Sequence, residues 1–200
     1  MKKRADFLVI GSGIAGLTFA LKAAKFGKVS IVTKANLEDS NTRYAQGGIA
    51  AVFGEPDNFE KHIHDTLIAG GGCCNEEVVR MVVQEAPERI KDLIDLGVSF
   101  DKNEDGTYDL AKEGGHTEHR ILHHKDKTGE AIQKTLVERV RKDPNIEIFE
   151  HHFAIEVLTQ HHLGDVLKKN YPDIKCFGAY VADLVNQKVI TFLSKITVIA

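Results

Sequence analysis

The chain reads Phe7-Leu8-Val9-Ile10-Gly11-Ser12-Gly13-Ile14-Ala15-Gly16 close to its N-terminus. The four apolar residues are typical of a buried parallel strand, and residues 11–16 fit the pattern G-x-G-x-x-G. In that pattern the first glycine makes a tight turn, the second admits a pyrophosphate, and the third lets helix and strand pack closely. The phosphates then lie at the positive end of the helix. The stretch therefore predicts a dinucleotide-binding strand, loop and helix.

The residues that follow complete a compact βαβ unit. Apolar residues at helical spacing predict a helix over 14–26 with Gly27 as its C-terminal cap, and residues 29–33 predict a second strand. An acid usually follows this strand and holds the ribose hydroxyls, but Thr33 and Lys34 stand there instead. This departure argues against a plain NAD-dependent protein. Thr33 is a candidate to hydrogen-bond the ribose, and Lys34 is a candidate to contact it through its backbone or its charge.

Three further helices are predicted in the middle of the chain. The first covers residues 62–69. The second begins after its cap Asn75 and ends at Gly97, and Pro87 is expected to kink or break it because proline removes a backbone donor. The third begins at its cap Thr128 and ends at residue 141, before an Asp-Pro pair.

Strands predominate toward the end of the chain. The sequence Asn103-Glu104-Asp105-Gly106 is typical of a hairpin turn. Patterns rich in β-formers predict strands over residues 146–149, 154–158, 176–182, 188–193 and 196–200. A buried-type strand at 196–200 still needs a turn and a cover. We therefore expect residues 1–200 to be an incomplete domain from a longer protein.

Bulk composition excludes several classes of protein. The 200 residues are 42% hydrophobic and carry 26 basic and 29 acidic side chains, mixed along the chain, for a net charge of −3. The absence of a basic stripe and of a long apolar run argues against nucleic acid and membrane partners. Three cysteines, two of them adjacent, favour a reducing cytoplasm over a disulfide framework. The histidine pairs lack metal-ligand spacing, so no metal site is predicted.

The run Ser40-Asn41-Thr42-Arg43-Tyr44-Ala45-Gln46-Gly47-Gly48-Ile49-Ala50-Ala51 indicates which dinucleotide is bound. It combines a hydroxyl-rich start, an amide side chain and two adjacent glycines. Glycines without side chains let backbone N–H groups approach a flat ring or a phosphate closely. The run therefore predicts a second wall of the dinucleotide site.

Residues 11–16 followed by residues 41–48 resemble the flavoproteins of the succinate dehydrogenase and fumarate reductase family. Within that family, four further blocks in the same order resemble the L-aspartate oxidase branch: residues 65–70, 113–116, 120–123 and 126–129. The fold class implied is α/β, a Rossmann-like FAD-binding domain with a parallel sheet, additional helices and a β-hairpin or meander region. The capping domain of the family would be absent, and the 200 residues alone would be inactive because later catalytic residues lie outside them.

The resemblance implies a reaction and its partners. FAD would be bound noncovalently, and L-aspartate would be oxidised to iminoaspartate, the first step of de novo NAD biosynthesis. The electrons would pass to O2 or fumarate, and a quinolinate synthase would use the product. Two alternatives remain open. One is a succinate dehydrogenase or fumarate reductase flavoprotein, which Asn41 and Glu113 disfavour, and the other is a nonenzymatic FAD-binding module.

The resemblance also implies the site residues. Residues 12–15 would hold the pyrophosphate side, Lys34 would lie by the ribose, and residues 41–48 would wrap the flavin side. The main chain at Ala154 and Ile155 would contact the adenine. The full set of candidate cofactor-binding residues is Gly11, Ser12, Gly13, Ile14, Ala15, Gly16, Thr33, Lys34, Asn41, Thr42, Arg43, Tyr44, Ala45, Gln46, Gly47, Gly48, Ala154 and Ile155.

Glu113 is the candidate catalytic residue, with a role in substrate orientation. The residue pattern alone favours a solvated loop carboxylate beside Lys112 and Glu118. The resemblance gives it a second interpretation, because aspartate differs from succinate by an α-ammonium group. A buried cation is costly unless an anion pairs with it, and Glu113 would supply that anion.

We expect FAD to leave the native polypeptide on denaturation. Asn41 stands where the respiratory dehydrogenases have the histidine that binds flavin covalently, and an amide cannot form that bond. After acid precipitation and centrifugation, the flavin absorbance should be in the supernatant. Flavin that sediments with the protein would contradict noncovalent binding.

Overall fold

A computed structural model describes residues 1–166, 168 and 173–200. The chain divides into two compact units, one formed by Met1–Arg43 with Leu136–Ala200 and the other by Tyr44–Thr135. The strands are β1 (Lys2–Ile10), β2 (Val29–Val32), β3 (Ile49–Ala50), β4 (Leu110–Ala111), β5 (Ile121–Leu122), β6 (Ile146–Phe149), β7 (His152–Thr159), β8 (Cys176–Asp183) and β9 (Lys188–Ile199). The α-helices are α1 (Ile14–Ala23), α2 (Asn41–Tyr44), α3 (Phe59–Ala69), α4 (Glu76–Leu96) and α5 (Thr128–Lys142), and Gln160–Leu163 forms a 3-10 turn.

The first unit contains a six-stranded mixed sheet in the order β6-β2-β1-β9-β8-β7. Strands β6, β2, β1 and β9 run parallel, whereas β8 and β7 are antiparallel to their neighbours. Helix α1 packs on β1 and β2. A buried cluster on the sheet comprises Leu8, Val32, Ala179, Val181, Ile190 and Phe192. The α/β class with a parallel sheet and a hairpin region is thereby confirmed.

Strand β9 corrects the sequence prediction, because residues 188–193 and 196–200 do not form two strands. A single strand covers Lys188–Ile199. Strand β8 pairs with its first half, and β1 pairs with it from Thr191 to Ile199. Pairing with β1 continues beyond the end of β8, with Ala5 opposite Ser194 and Phe7 opposite Ile196, and this one edge keeps the backbone extended through the polar residues.

The predicted end of the first helix is also wrong. Helix α1 ends at Ala23 with Ala24 as its cap, so Gly27 caps nothing. Gly27 instead leaves room for Asp6, whose carboxylate oxygen would lie 2.5 Å from a Cβ at this position. That carboxylate accepts a hydrogen bond of 2.8 Å from the amide of Lys28 at the start of β2.

The second unit contains α3, α4 and a small antiparallel sheet in the order β3-β5-β4. The side chain of Asn58 caps α3, and that of Asn75 caps α4 as predicted. Gly97 ends α4 in a left-handed conformation with φ of 109°. The predicted turn at 103–106 is present, with the amide of Asn103 donating to the carbonyl of Thr107.

In the helices, the possible break at Pro87 and the cap expected at Thr128 are not found. Helix α4 continues unbroken through Pro87, because Val83 before the proline and Ile90 and Leu93 after it are buried and hold both halves in place. Thr128 does not cap α5, since its hydroxyl accepts from the amide of His124 outside the helix.

The inward face of α5 is as predicted, with Ile132, Leu136, Val137 and Val140 all buried. None of the helices in the described part of the chain combines the length and apolar character that a bilayer crossing requires.

We expect Pro87→Ala to raise the free energy of unfolding by about 1–3 kcal/mol, because alanine restores a backbone donor and removes the clash of the proline ring. Urea unfolding of the native polypeptide measures the change. Gln84→Ala is the control, since it is an exposed position of the same helix and should change stability by less than about 0.5 kcal/mol. If both substitutions changed the free energy of unfolding equally, Pro87 would not destabilise α4.

Candidate functional site

The turn between β1 and α1 contains the three glycines of the motif, and its packing requires glycine at two of these positions. Gly11 has φ of 118°, and a Cβ there would overlap the carbonyl of Ala200. A Cβ at Gly16 would overlap the carbonyl of Gly11. Gly13 differs, because a Cβ there would meet only Thr42 Oγ1 at 3.5 Å, which is an ordinary contact. Packing does not require glycine at position 13, so the open space beside it is available to a ligand.

The first turn of α1 offers amides to that space. Its cap residue, Gly13, has no side chain, and the amide of Ile14 donates to Thr42 Oγ1 over 3.0 Å. Among the described residues no acceptor is recorded for the amides of Ala15 and Gly16. Free amides and the helix dipole at an open turn suit a phosphate, and these residues therefore fit a dinucleotide pyrophosphate.

Ser12 and Thr33 are brought together beneath this turn. Both are buried, and their hydroxyl oxygens lie 3.1 Å apart. The Thr33 hydroxyl thus has a partner within the protein, and its backbone pairs with Phe149 and His152. Lys34, the next residue, is exposed at the end of β2.

Ala154 and Ile155 lie on β7 at a break in the strand register. Ala154 pairs with Val181, and Glu156 pairs with Tyr180, which leaves Ile155 without a partner in β8. Such a bulge frees main-chain groups from the ladder. The predicted adenine contact is a main-chain contact, and the bulge offers such groups.

The run 41–48 begins in the first unit and continues in the second. In the first unit Asn41 and Arg43 are exposed, and the hydroxyl of Ser40 accepts from the Arg43 amide. In the second unit residues 44–47 are exposed, and the carbonyl of Ala45 accepts from the amide of Gly129. A Cβ at Gly48 would overlap the carbonyl of Leu122, so β3 can pair with β5 only with glycine at this position.

The second unit brings Glu113 next to Gly47. The carboxylate oxygens of Glu113 lie 3.8 and 3.9 Å from the point where a Cβ on Gly47 would stand. Glu113 is exposed, and it lies on the segment that connects β4 to β5. The structure thus unites two predicted site residues that are 66 positions apart in the chain (113 − 47).

A buried charge cluster lies behind this segment, and the sequence analysis missed it. The side chain of Arg120 is fully buried and forms a bidentate pair with Asp57, at 2.8 and 2.7 Å. Its third nitrogen donates to Asp65 over 2.6 Å. The amide and hydroxyl of Thr117 also donate to Asp65, at 2.8 and 2.9 Å. An available signal was the position of Asp65 and His62 on the same inward face of α3 as Ile63.

The hydrogen bonds decide the charge state of this cluster. Burial alone raises the pKa of Asp65, but the Thr117 amide, the Arg120 guanidinium and the Thr117 hydroxyl outweigh it and lower the pKa to about 2. Burial lowers the pKa of Arg120, but the hydrogen bonds to Asp57 and Asp65 outweigh it and leave that pKa above its ordinary value. Both partners are therefore charged over the whole physiological range.

Two histidines flank the cluster. Nη1 of Arg120 lies 3.1 Å from Nδ1 of His116, and a guanidinium can only donate. Nδ1 of His116 therefore accepts this hydrogen bond. Burial lowers the pKa of His62, and the positive charge of Arg120 lowers it further. The rings of His62 and His116 lie 5.7 Å apart.

Four of the other histidines, His123, His124, His152 and His162, lie beside carboxylates. His123 and His124 both approach Asp101 to within 3.3 Å, and His162 lies 3.3 Å from Glu156. Within residues 1–166, 168 and 173–200, no group of three or more histidine, cysteine, aspartate or glutamate side chains is arranged to hold a metal ion.

Comparison with known proteins identifies what this arrangement resembles. A family model described as "FAD binding domain" matches residues 6–200. An L-aspartate oxidase of Nicotiana tabacum, named as chloroplastic, is 50% identical over 98% of this chain and 29% of its own length. The L-aspartate oxidase of Vibrio cholerae is 44% identical over 98% of this chain and 36% of its own length. The chain thus spans about a third of the length of these relatives.

Solved structures give a consistent picture of the fold. The FrdA subunit of E. coli quinol fumarate reductase, in a mutant form, matches with a TM-score of 0.87 and 27% identity, over 100% of this chain and 33% of FrdA. Sdh1 of Mycobacterium smegmatis in complex with UQ1 matches with a TM-score of 0.85 and 28% identity, over 100% of this chain and 34% of its own.

We expect Arg120→Ala to lower the free energy of unfolding by about 3–5 kcal/mol, because it leaves Asp57 and Asp65 buried without their counter-charge. Urea unfolding of the native polypeptide measures the loss. Arg80→Ala removes an arginine that pairs with Glu60 and Glu76 at the surface, and it should cost less than about 1 kcal/mol. A similar small loss for both would mean that the buried cluster does not stabilise the second unit.

Proposed function

The chain belongs to the FAD-binding domain family, and from that premise we propose that it is the flavin-binding part of an enzyme that oxidises L-aspartate to iminoaspartate. Relatives named L-aspartate oxidases support this reaction, at 40–50% identity over 98% of the chain. The fumarate reductase and Sdh1 structures are less similar in sequence, at 27 and 28% identity.

The observation that carries the proposal is the proximity of the Glu113 carboxylate to Gly47. Gly47 belongs to the segment proposed to line the flavin, so an anion is held beside that segment. The substrate of an amino-acid oxidase carries an ammonium group next to the carbon that is oxidised. Glu113 would pair with this group and thereby orient the carbon toward the flavin.

The remaining proposed residues hold the cofactor. The open space at Gly13 and the free amides of Ala15 and Gly16 would bind the pyrophosphate. Lys34 would lie by the ribose, and the unpaired main chain at Ile155 would contact the adenine. Residues 41–48 would surround the flavin. When bound, FAD supplies the capacity to accept two electrons from the amino acid.

The proposal extends to the partners of the reaction. The substrate is L-aspartate, and the electrons pass to O2 or fumarate. Iminoaspartate is the product that a quinolinate synthase would consume in NAD biosynthesis. Three free cysteines, of which Cys73 and Cys176 are exposed, support a reducing compartment, and we propose the cytoplasm.

Glu113→Gln tests the substrate role in the native polypeptide. Loss of one charge-assisted hydrogen bond should reduce kcat/KM for L-aspartate by about 10- to 100-fold. Fumarate has no ammonium group, so fumarate reduction should fall less than about threefold. Steady-state assays of both reactions give the comparison.

Glu104→Gln is the matched control, because Glu104 is an exposed acid in the turn 103–106 of the same unit. It should leave both reactions unchanged. Equal losses for the two substrates in Glu113→Gln would argue against the orienting role. A native polypeptide that binds FAD and oxidises succinate, or that oxidises neither substrate, would favour the two alternative functions.

A further inference from the structure

The Glu113 loop, residues 112–119, connects β4 to β5, and Lys112 Nζ donates to the carbonyl of Thr117 across it over 2.8 Å. Gly114 and Gly115 follow the carboxylate, and a Cβ on either would meet no atom within 4 Å. Gly115 has φ of 84°, in the region that glycine favours. No packing contact with a described residue restricts the backbone at these two glycines, and glycine itself can adopt many φ and ψ values. The position of Glu113 must therefore be fixed from elsewhere.

One attachment runs through Thr117. Its amide and its hydroxyl both donate to the same oxygen of Asp65, at 2.8 and 2.9 Å. Asp65 lies on α3, is buried, and is held in turn by Arg120. This attachment fastens the loop to a helix two residues beyond the glycine pair.

A second attachment runs through His116. Nη1 of Arg120 donates to the imidazole ring of His116. The backbone amide of His116 in turn donates to the carbonyl of Glu113 over 3.2 Å. The Arg120 side chain is wholly buried, and Asp57 holds it by two bonds. A guanidinium held by two parallel bonds has little freedom to rotate. Arg120 thus supports both attachments at once.

We propose that Arg120 is a positioning residue, which acts through Asp65 and Thr117 and through His116 to hold the Glu113 carboxylate beside Gly47. Arg120 touches neither Glu113 nor Gly47 in the contacts described, so its influence passes through the loop. The inference deepens the proposed function and rests on it, because it gives the orienting role of Glu113 a structural cause.

Thr117→Val tests the route through Asp65 and Thr117 without opening the buried cluster. It removes the hydroxyl bond to Asp65 and leaves the amide bond and the Arg120 pairs in place. In the native polypeptide the KM for L-aspartate should rise about three- to tenfold, as expected for one hydrogen bond. Thr117→Ser keeps a hydroxyl and should restore KM to within about twofold of the native value.

Thr107→Val is the matched control, since the hydroxyl of Thr107 donates to Asp105 over 2.6 Å in the turn 103–106 of the same unit. It should leave the KM for L-aspartate unchanged. The flavin content and the KM for fumarate should stay within about twofold of native in all three variants. If Thr107→Val raised KM equally, or if Thr117→Val lost flavin, general destabilisation would explain the change in KM and the positioning role would be overturned.

A double-mutant cycle locates the effect. If Thr117 acts through Glu113, Thr117→Val should change the KM for L-aspartate less than about 1.5-fold in a Glu113→Gln background. Additive effects of the two substitutions would overturn the proposal, because they would show that Thr117 acts on the substrate by another route.

Hydrogen exchange separates this inference from the proposed function. Thr117→Val should speed exchange of the His116 and Thr117 amides at least tenfold, and leave the Asn103 amide unchanged. If the native protein does not oxidise L-aspartate but exchange responds in this way, the proposed function fails while the loop attachment stands. Unchanged exchange together with unchanged KM overturns the positioning role itself.

Discussion

Parallel pairing of β1 on both of its edges is the constraint on which the nucleotide loop depends. Ile10 pairs with Val32 on one side and with Ile199 on the other. The carboxyl ends of these three parallel strands, β2, β1 and β9, lie side by side, and the chain passes from β1 to α1 there. At that point Gly11 and Gly16 must lack side chains because backbone carbonyls occupy the space. Backbone packing therefore dictates two of the three glycines, and it does not require the third, Gly13.

The second unit adds a buried charge cluster to its apolar core, in which residues such as Ile63, Val83 and Leu122 are buried. Asp57, Asp65 and Arg120 are nearly or wholly inaccessible to solvent, and taking them out of water is costly. The cost is offset by hydrogen bonds to the two carboxylates, three from Arg120, two from Thr117 and one from the amide of Asn58. An apolar core of equal volume would stabilise the unit as well, but it would not specify the position of a loop through directed bonds. The cluster joins α3 and the segment before it to the segment before β5, more than 50 positions away in sequence.

Local patterns in the sequence predicted most of the elements, because capping and periodicity are local properties. Asn75, Gly97 and the buried face of α5 were found in this way. The predictions failed where distant residues override local preference. Strand β9 stays whole because β1 and β8 pair with it, and α4 tolerates Pro87 because buried residues lie on both sides. In the site, motif spacing predicted the glycine turn, whereas only the family resemblance singled out Glu113, and its role stays a prediction. Motif spacing could not predict Arg120, because its partners Asp57 and Asp65 lie more than 50 positions away.

The pairing of β1 with β9 also has a consequence for how the chain acquires its structure during translation. Lys2 pairs with Thr191, so about 190 residues of synthesis separate the two strands. At about 5–20 residues per second, one edge of β1 lacks its partner for on the order of ten to forty seconds. An apolar strand with an open edge is prone to pair with other chains. Until β9 has left the exit tunnel, the nascent polypeptide therefore carries an unpaired edge of β1.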